Sequence, residues 1–166
     1  MVIDPLFWKD RKVFITGHTG FKGGWLSLWL KDLGAKVTGY ALSPYSKKAF
    51  YTQASVNHSL AHNTFADIRN LETFKKEMQA AEPSIVIHLA AQPLVIDSYL
   101  DPVNSYSSNV MGTVNMFEAV RSTSSVKAVL NITTDKCYEN NGQLLGYKEN
   151  DPMGGHDPYS SSKACA

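Results

Sequence analysis

The sequence predicts an α/β protein built on a doubly wound parallel sheet, and three observations predict it. Short β-branched runs alternate with longer amphipathic ones along the whole chain. The first such run is followed at once by glycines at positions 17, 20 and 23. Helix-starting Asp-Pro pairs and helix-stopping glycines fall where one periodicity gives way to the other. Strands separated by helical crossovers must be parallel, and right-handed crossovers place helices on both faces of the sheet. With 166 residues, 43% of them hydrophobic, the chain supports one sizeable core, and a single domain over residues 1–166 is expected.

Lys12 to Thr16 reads as a buried strand, followed by the glycine-rich turn and a helix from about Phe21 to Leu33 that Gly34 stops. Lys36 to Ala41 is the second strand. After a loop rich in Ser, Lys and Tyr, Asn63 to Ala66 gives a third, and Asn70 caps a helix to about Ala81, ahead of Pro83. Trp25 and Trp29, four apart, are expected to pack the first of these helices on the sheet. Ser84 to Leu89 is the fourth strand. Asp101-Pro102 opens a long helix to about Arg121, Lys127 to Thr133 forms the fifth strand, and Asp157-Pro158 opens a last helix. Sheets of this class normally continue with more strands beyond that point, so the domain is expected to be incomplete at its C-terminus.

Sixteen Lys and Arg against fifteen Asp and Glu leave a formal charge of +1, so no net field attracts nucleic acid or an anionic membrane. Any phosphate site must be local. Two cysteines, Cys137 and Cys165, make neither a disulfide framework nor a zinc set. No apolar run approaches the ~18 residues of a membrane span, and Asp4, Pro5 and Asp10 stand where a signal peptide needs its apolar stretch. These features together suit a soluble cytoplasmic protein. His58-x-x-x-His62 lacks the Glu of a zinc helix and a third ligand, so no metal is expected and the two imidazoles read as solvent-facing.

The turn Thr16-Gly17-His18-Thr19-Gly20-Phe21-Lys22-Gly23 carries the first chemical signal. Gly17 permits the tight turn, Gly20 lets backbone N–H groups approach a pyrophosphate, and Gly23 lets the following helix pack closely with its positive N-terminus towards the anion. The turn therefore reads as a dinucleotide site of Rossmann type, with His18, Thr19, Phe21 and Lys22 supplying its remaining positions. A nucleoside-triphosphate loop is excluded, because Phe21 precedes and Gly23 follows Lys22 where that motif needs Gly and Ser or Thr. Strand ends three and four, Asp67-Ile68 and Leu89-Ala90-Ala91-Gln92, should flank the cofactor. The ribose-binding acid usual after the second strand is missing; Ser43 lies there, and Lys47 and Lys48 nearby would tolerate a 2′-phosphate. NAD and NADP both stay open on this ground.

Tyr159-Ser160-Ser161-Ser162-Lys163 places a phenol and an ammonium one turn apart on the same helix face. A neighbouring cation favours phenolate, which makes the pair an acid–base device. Thr133-Thr134, at the end of the fifth strand, add hydroxyls.

Taken in order, TGHTGFKGGWLSLWL, HLAAQPLV, NVMGTVN, ITTDKCY and DPYSSSK resemble the extended short-chain dehydrogenase/reductase superfamily. Within its NAD-dependent epimerase/dehydratase family, His18 and Lys22 in the turn and Lys136 after Asp135 resemble the CDP-glucose branch of the 4,6-dehydratases, lyases of bacterial surface-polysaccharide biosynthesis. The resemblance covers essentially the whole chain. It implies NAD, a CDP-glucose substrate, and an internal redox reaction whose net result is loss of water. Tyr159, assisted by Lys163 and hydrogen-bonded through Thr134, would deprotonate the sugar O4 as hydride leaves C4. Asp135 would protonate the departing C6 hydroxyl, and the hydride would return to C6. Thr133 and Asn109 would border the cofactor, Asn109 in a structural capacity. Related dehydratases carry a Glu base where Lys136 stands, so Lys136 either loses its proton and serves as the C5 base or stays charged and stabilises the enolate. A neutral Lys beside a protonated Asp is self-consistent in a dry site, which favours the base. Ile96-Asp97 departs from the family pattern, which has an arginine at the first position. The resemblance also implies a homodimer when full length, packed through the helices beginning near Pro102 and Pro158. It implies, too, that the remaining strands and the domain gripping the substrate nucleotide follow the Tyr159 helix. The alternatives are another nucleotide-sugar epimerase or dehydratase, or a non-catalytic dinucleotide-binding module.

Overall fold

The computed structural model describes residues 4–166, so the reading of the N-terminal stretch as no leader falls partly outside them at residues 1–3. Five strands form one parallel sheet in the order β3-β2-β1-β4-β5: β1 (Lys12–Thr16), β2 (Lys36–Ala41), β3 (His62–Phe65), β4 (Ile85–His88) and β5 (Ala128–Asn131). β1 and β2 lie where the sequence places them, in register from Lys12 opposite Lys36 to Thr16 opposite Tyr40. Four consecutive residues of β1 and five of β2 are buried, as expected when both faces of a parallel sheet are covered. β3 begins one residue earlier than Asn63, because His62 already pairs with Thr38. β4 and β5 are shorter than their apolar runs, and pairing stops at His88 opposite Asn131.

Eight α-helices are described: α1 (Pro5–Trp8), α2 (Phe21–Asp32), α3 (Phe50–Gln53), α4 (Leu71–Ala81), α5 (Val95–Leu100), α6 (Pro102–Tyr106), α7 (Gly112–Arg121) and α8 (Pro158–Cys165). Gly34 adopts φ +89° just past α2, the left-handed stop its position predicts. Asn70 caps α4 by accepting from the Thr73 N–H at 3.1 Å, and α4 turns Phe74 and Met78 inward. The long helix read from Asp101 exists, but Ser107–Met111 between α6 and α7 is a π segment. The short α3 and α5 were not legible as helices.

The chain forms two compact units, one of residues 1–90 with 115–131 and the other of 91–114 with 132–166. The first holds the sheet and a core of Phe14, Tyr40, Phe74, Met78, Val86, Met116 and Ala119. The second holds α5, α6, α8 and the loop after β5.

One expectation fails. Trp25 and Trp29 do not pack on the sheet: they are 54% and 52% exposed, and the buried positions of α2 are Gly23, Gly24, Ser27 and Leu30. His58 and His62 are both exposed, as expected: His58 sits in the 3-10 turn Val56–Ser59, and His62 starts β3, 3.3 Å from the Glu77 carboxylate.

Candidate functional site

In the first unit, strand order reverses between β1 and β4, the place where such sheets open a crevice beyond the strand ends. Buried Thr16 holds the two ends together. Its Oγ1 lies 2.7 Å from His88 Nδ1 and accepts from the N–H groups of Leu89 and Ala90, each at 3.1 Å. Gly17 follows at φ +76°, with its N–H on the Tyr40 carbonyl at 2.9 Å. A Cβ at Gly17 would stand 2.8 Å from the Ala90 nitrogen, so only glycine fits both the dihedral and the approach. A Cβ at Gly23 would collide with the Gly17 carbonyl oxygen. This glycine therefore seats the helix on the turn itself, a tighter role than approach to the sheet.

Gly20 is the N-cap of α2 and brings no side-chain cap, so the first N–H groups of the helix point out unpaired at its positive end. A helix N-terminus left without a side-chain cap carries partial positive charge that favours an anion. A side chain at position 20 would crowd it, its Cβ 3.3 Å from the Gly17 carbonyl. Thr19 donates its hydroxyl to the Leu42 carbonyl at 2.9 Å, tying the turn to the chain leaving β2. Ser43, Lys47 and Lys48 are exposed on that chain, and Phe21 and Lys22 are exposed on α2.

His18 is fully buried. Its Nε2 lies 2.7 Å from Asn63 Oδ1, Asn63 in turn donates to the Tyr51 hydroxyl at 3.0 Å, and the ring stacks on Phe65. Gly39 makes room for it, since a Cβ there would reach the imidazole at 2.6 Å. Burial holds the His18 pKa below its usual value, against the opposing pull of Asn63 and the Tyr40 carbonyl. His18 thus braces the turn from beneath. The Asp67 carboxylate is taken by Arg69, whose hydrogen bonds hold it below the usual carboxylate range in spite of burial. Its carbonyl accepts from the Tyr40 hydroxyl at 3.0 Å, and the Ile68 carbonyl accepts from Asn115 Nδ2 at 3.0 Å. Sequence reasoning missed Asn63, Tyr51 and Asn115, which act through contacts distant in the chain.

In the second unit, Thr134 caps the 3-10 turn Asp135–Cys137, accepting from the Lys136 N–H at 3.3 Å and donating to Asp135 Oδ1 at 3.0 Å. Asp135 and Lys136 are exposed and line a polar cleft of about 170 Å³ with Tyr138, Tyr147, His156 and Asp157. Asp157 caps α8 through both carboxylate oxygens, to the Ser160 N–H at 2.9 Å and the Ser160 hydroxyl at 2.6 Å. Burial pushes this carboxyl up, but those hydrogen bonds and the Lys136 charge outweigh it and hold it low.

Tyr159 and Lys163 lie on α8 one turn apart, as their spacing predicts. The Tyr159 N–H donates to Ser98 Oγ at 3.1 Å. Lys163 is buried, donates to the Ile132 carbonyl at 2.9 Å, and has its pKa lowered by burial. Asn109, in the π segment, accepts from the Gln92 N–H at 2.8 Å and donates to the Gln92 carbonyl at 3.1 Å and to Ser162 Oγ at 2.8 Å. Through these bonds it clamps the Ala91-Gln92 loop against α8. Thr133 is exposed in the segment that follows β5.

The sequence profile of the GDP-mannose 4,6 dehydratase family matches residues 14–166. The chain is 50% identical to CDP-glucose 4,6-dehydratase of Salmonella typhimurium over 165 residues, 99% of this chain and 46% of that protein. It is 29% identical to a probable dTDP-glucose 4,6-dehydratase of Sinorhizobium fredii, covering 93% of this chain and 47% of that one. Among solved structures, UDP-glucose-4-epimerase from Stenotrophomonas maltophila, with bound NAD and formylated UDP-arabinopyranose, superposes with a TM-score of 0.80 at 22% identity, over 93% of this chain and 46% of that one. The chain thus spans about half the length of the curated relatives it matches.

Proposed function

Because the chain belongs to the GDP-mannose 4,6 dehydratase family, we propose that it is the dinucleotide-binding part of a nucleotide-sugar 4,6-dehydratase that converts CDP-glucose to CDP-4-keto-6-deoxyglucose with NAD. The observation that carries this reading is the half-identity to the Salmonella enzyme along nearly the whole chain. The cradle formed by Gly17, Gly20 and Gly23 holds the pyrophosphate on the N-terminus of α2. NAD, when bound, supplies reversible hydride storage. Tyr159 takes the proton from the sugar O4, and Lys163, fixed one turn away on the Ile132 carbonyl, favours the phenolate electrostatically. Asp135 gives a proton to the leaving C6 hydroxyl. Lys136 is exposed and lends its charge to Asp157. Lys136 either takes the C5 proton as the base, the role favoured from sequence, or stays charged and stabilises the enolate. The full-length protein works in the cytoplasm as a homodimer packed through the helices starting at Pro102 and Pro158. The high exposure of Val103, Met111, Val114 and Phe117 along the helix from Pro102 supports such a contact, and no helix among the described residues is long and apolar enough to cross a membrane.

Calorimetric titration of NAD into the chain and into Gly20→Val tests the cofactor assignment. Binding that weakens by about tenfold or more in the variant is expected, because the new side chain blocks backbone approach to the phosphates. Equal affinity of the two would remove the turn from the cofactor site.

A further inference from the structure

The helix α2 is built inside out for a surface helix. The side it buries carries Gly23, Gly24, Ser27 and Leu30, while Phe21, Trp25 and Trp29 stand outward at 68%, 54% and 52% exposure. Trp25 stacks on Phe50 with ring centroids 4.9 Å apart, and Phe21 meets the same ring edge-on at 5.5 Å, so the aromatic surface is continuous. An open groove of about 640 Å³ runs along it, and Leu26 and Leu28 flank the aromatic ridge. Single exposed apolar side chains need no explanation, but a contiguous aromatic patch marks an interaction surface.

The charges on this surface say what it fits. Lys22 and Asp32 are the only charged residues that line the groove, one at each end of α2. Each lies five residues from Ser27. The same centre relates Trp25 to Trp29 and Leu26 to Leu28. An antiparallel pair of such helices about a two-fold axis at Ser27 therefore brings Lys22 to the level of Asp32 of the second copy, Trp25 to Trp29, and Leu26 to Leu28. Such self-complementarity is what an isologous interface requires. At the shallow crossing of about 20° usual for antiparallel helices, side chains at one level meet.

We infer that the exposed face of α2 is an interface with a second copy of this chain, closed by antiparallel α2 helices and fixed in register by two Lys22–Asp32 pairs. This inference does not depend on the dehydratase reading, and the face is distinct from the helices proposed above for the homodimer.

The test is charge exchange, read as solution mass by analytical ultracentrifugation without added dinucleotide. In homotypic pairs, Lys22→Asp sets acid against acid and Asp32→Lys sets base against base; a mixture of the two variants restores both attractions. Each single variant is expected to associate about tenfold more weakly than the wild type, and the mixture to recover wild-type association as a heterotypic species. Trp29→Glu should abolish the same step. Both exchanged residues are exposed, so the fold tolerates them, and circular dichroism checks this. If the single variants keep the wild-type mass, or if mixing restores nothing, the second copy is not the occupant. A further segment of the same polypeptide or an unrelated partner on this face would give that result.

Discussion

The glycines of this chain are not equivalent, and the differences are physical. Gly17 and Gly142 both adopt positive φ, +76° and +70°, but a Cβ at Gly17 meets the Ala90 backbone while one at Gly142 meets nothing within 4 Å. Gly17→Ala should cost about 3 kcal/mol, dihedral strain plus overpacking, and Gly142→Ala only about 1 kcal/mol. Thermal unfolding of the two variants measures the difference, and equal losses would mean that the Ala90 approach relaxes without cost. His18 makes a second residue-level prediction. Its folded pKa is lowered by burial, so below the unfolded value of about 6.5 the unfolded chain binds the extra proton. Its contribution to stability is full above that pH and is lost as pH falls through the depressed folded pKa. Denaturant unfolding between pH 7.5 and 5 should show this loss, and His18→Gln should flatten that part of the profile; an unchanged slope would assign the dependence elsewhere.

At the scale of elements, α8 shows how a cap positions chemistry. Asp157 holds the first turn of the helix that carries Tyr159 and Lys163. Asp157→Ala should destabilise by about 1 kcal/mol, as loss of an N-cap does, and Asp157→Asn should recover most of it. Chemical denaturation distinguishes the two, and identical losses would show that the carboxylate charge rather than the cap matters. β1, β2 and α4 were legible because their limits are local: a run buried on both faces, a stop glycine, a capping Asn. The π segment was not, since one extra residue in a helical turn leaves the apolar periodicity nearly intact. The tryptophans of α2 were misread because i, i+4 spacing says which residues share a face but not which face meets the sheet. The three small residues beside them carry that information. The glycine turn and the Tyr159–Lys163 pair were readable as short motifs. The Asn109 clamp joins residues 17 and 53 positions away, and no local pattern announces such contacts.

At the scale of the whole molecule, the chain shares its fold with an epimerase and its sequence with dehydratases, so the fold does not choose between the two reactions. The choice rests on what becomes of the sugar. The most direct measurement is to give the full-length protein CDP-glucose labelled with deuterium at C4, together with NAD, and to follow the product by mass spectrometry and NMR. The dehydratase account predicts a 4-keto-6-deoxy product lighter by one water, with the C4 label carried to C6 and no net reduction of the cofactor. A product of unchanged mass with its C4 configuration inverted, or no turnover by the full-length protein, would contradict it.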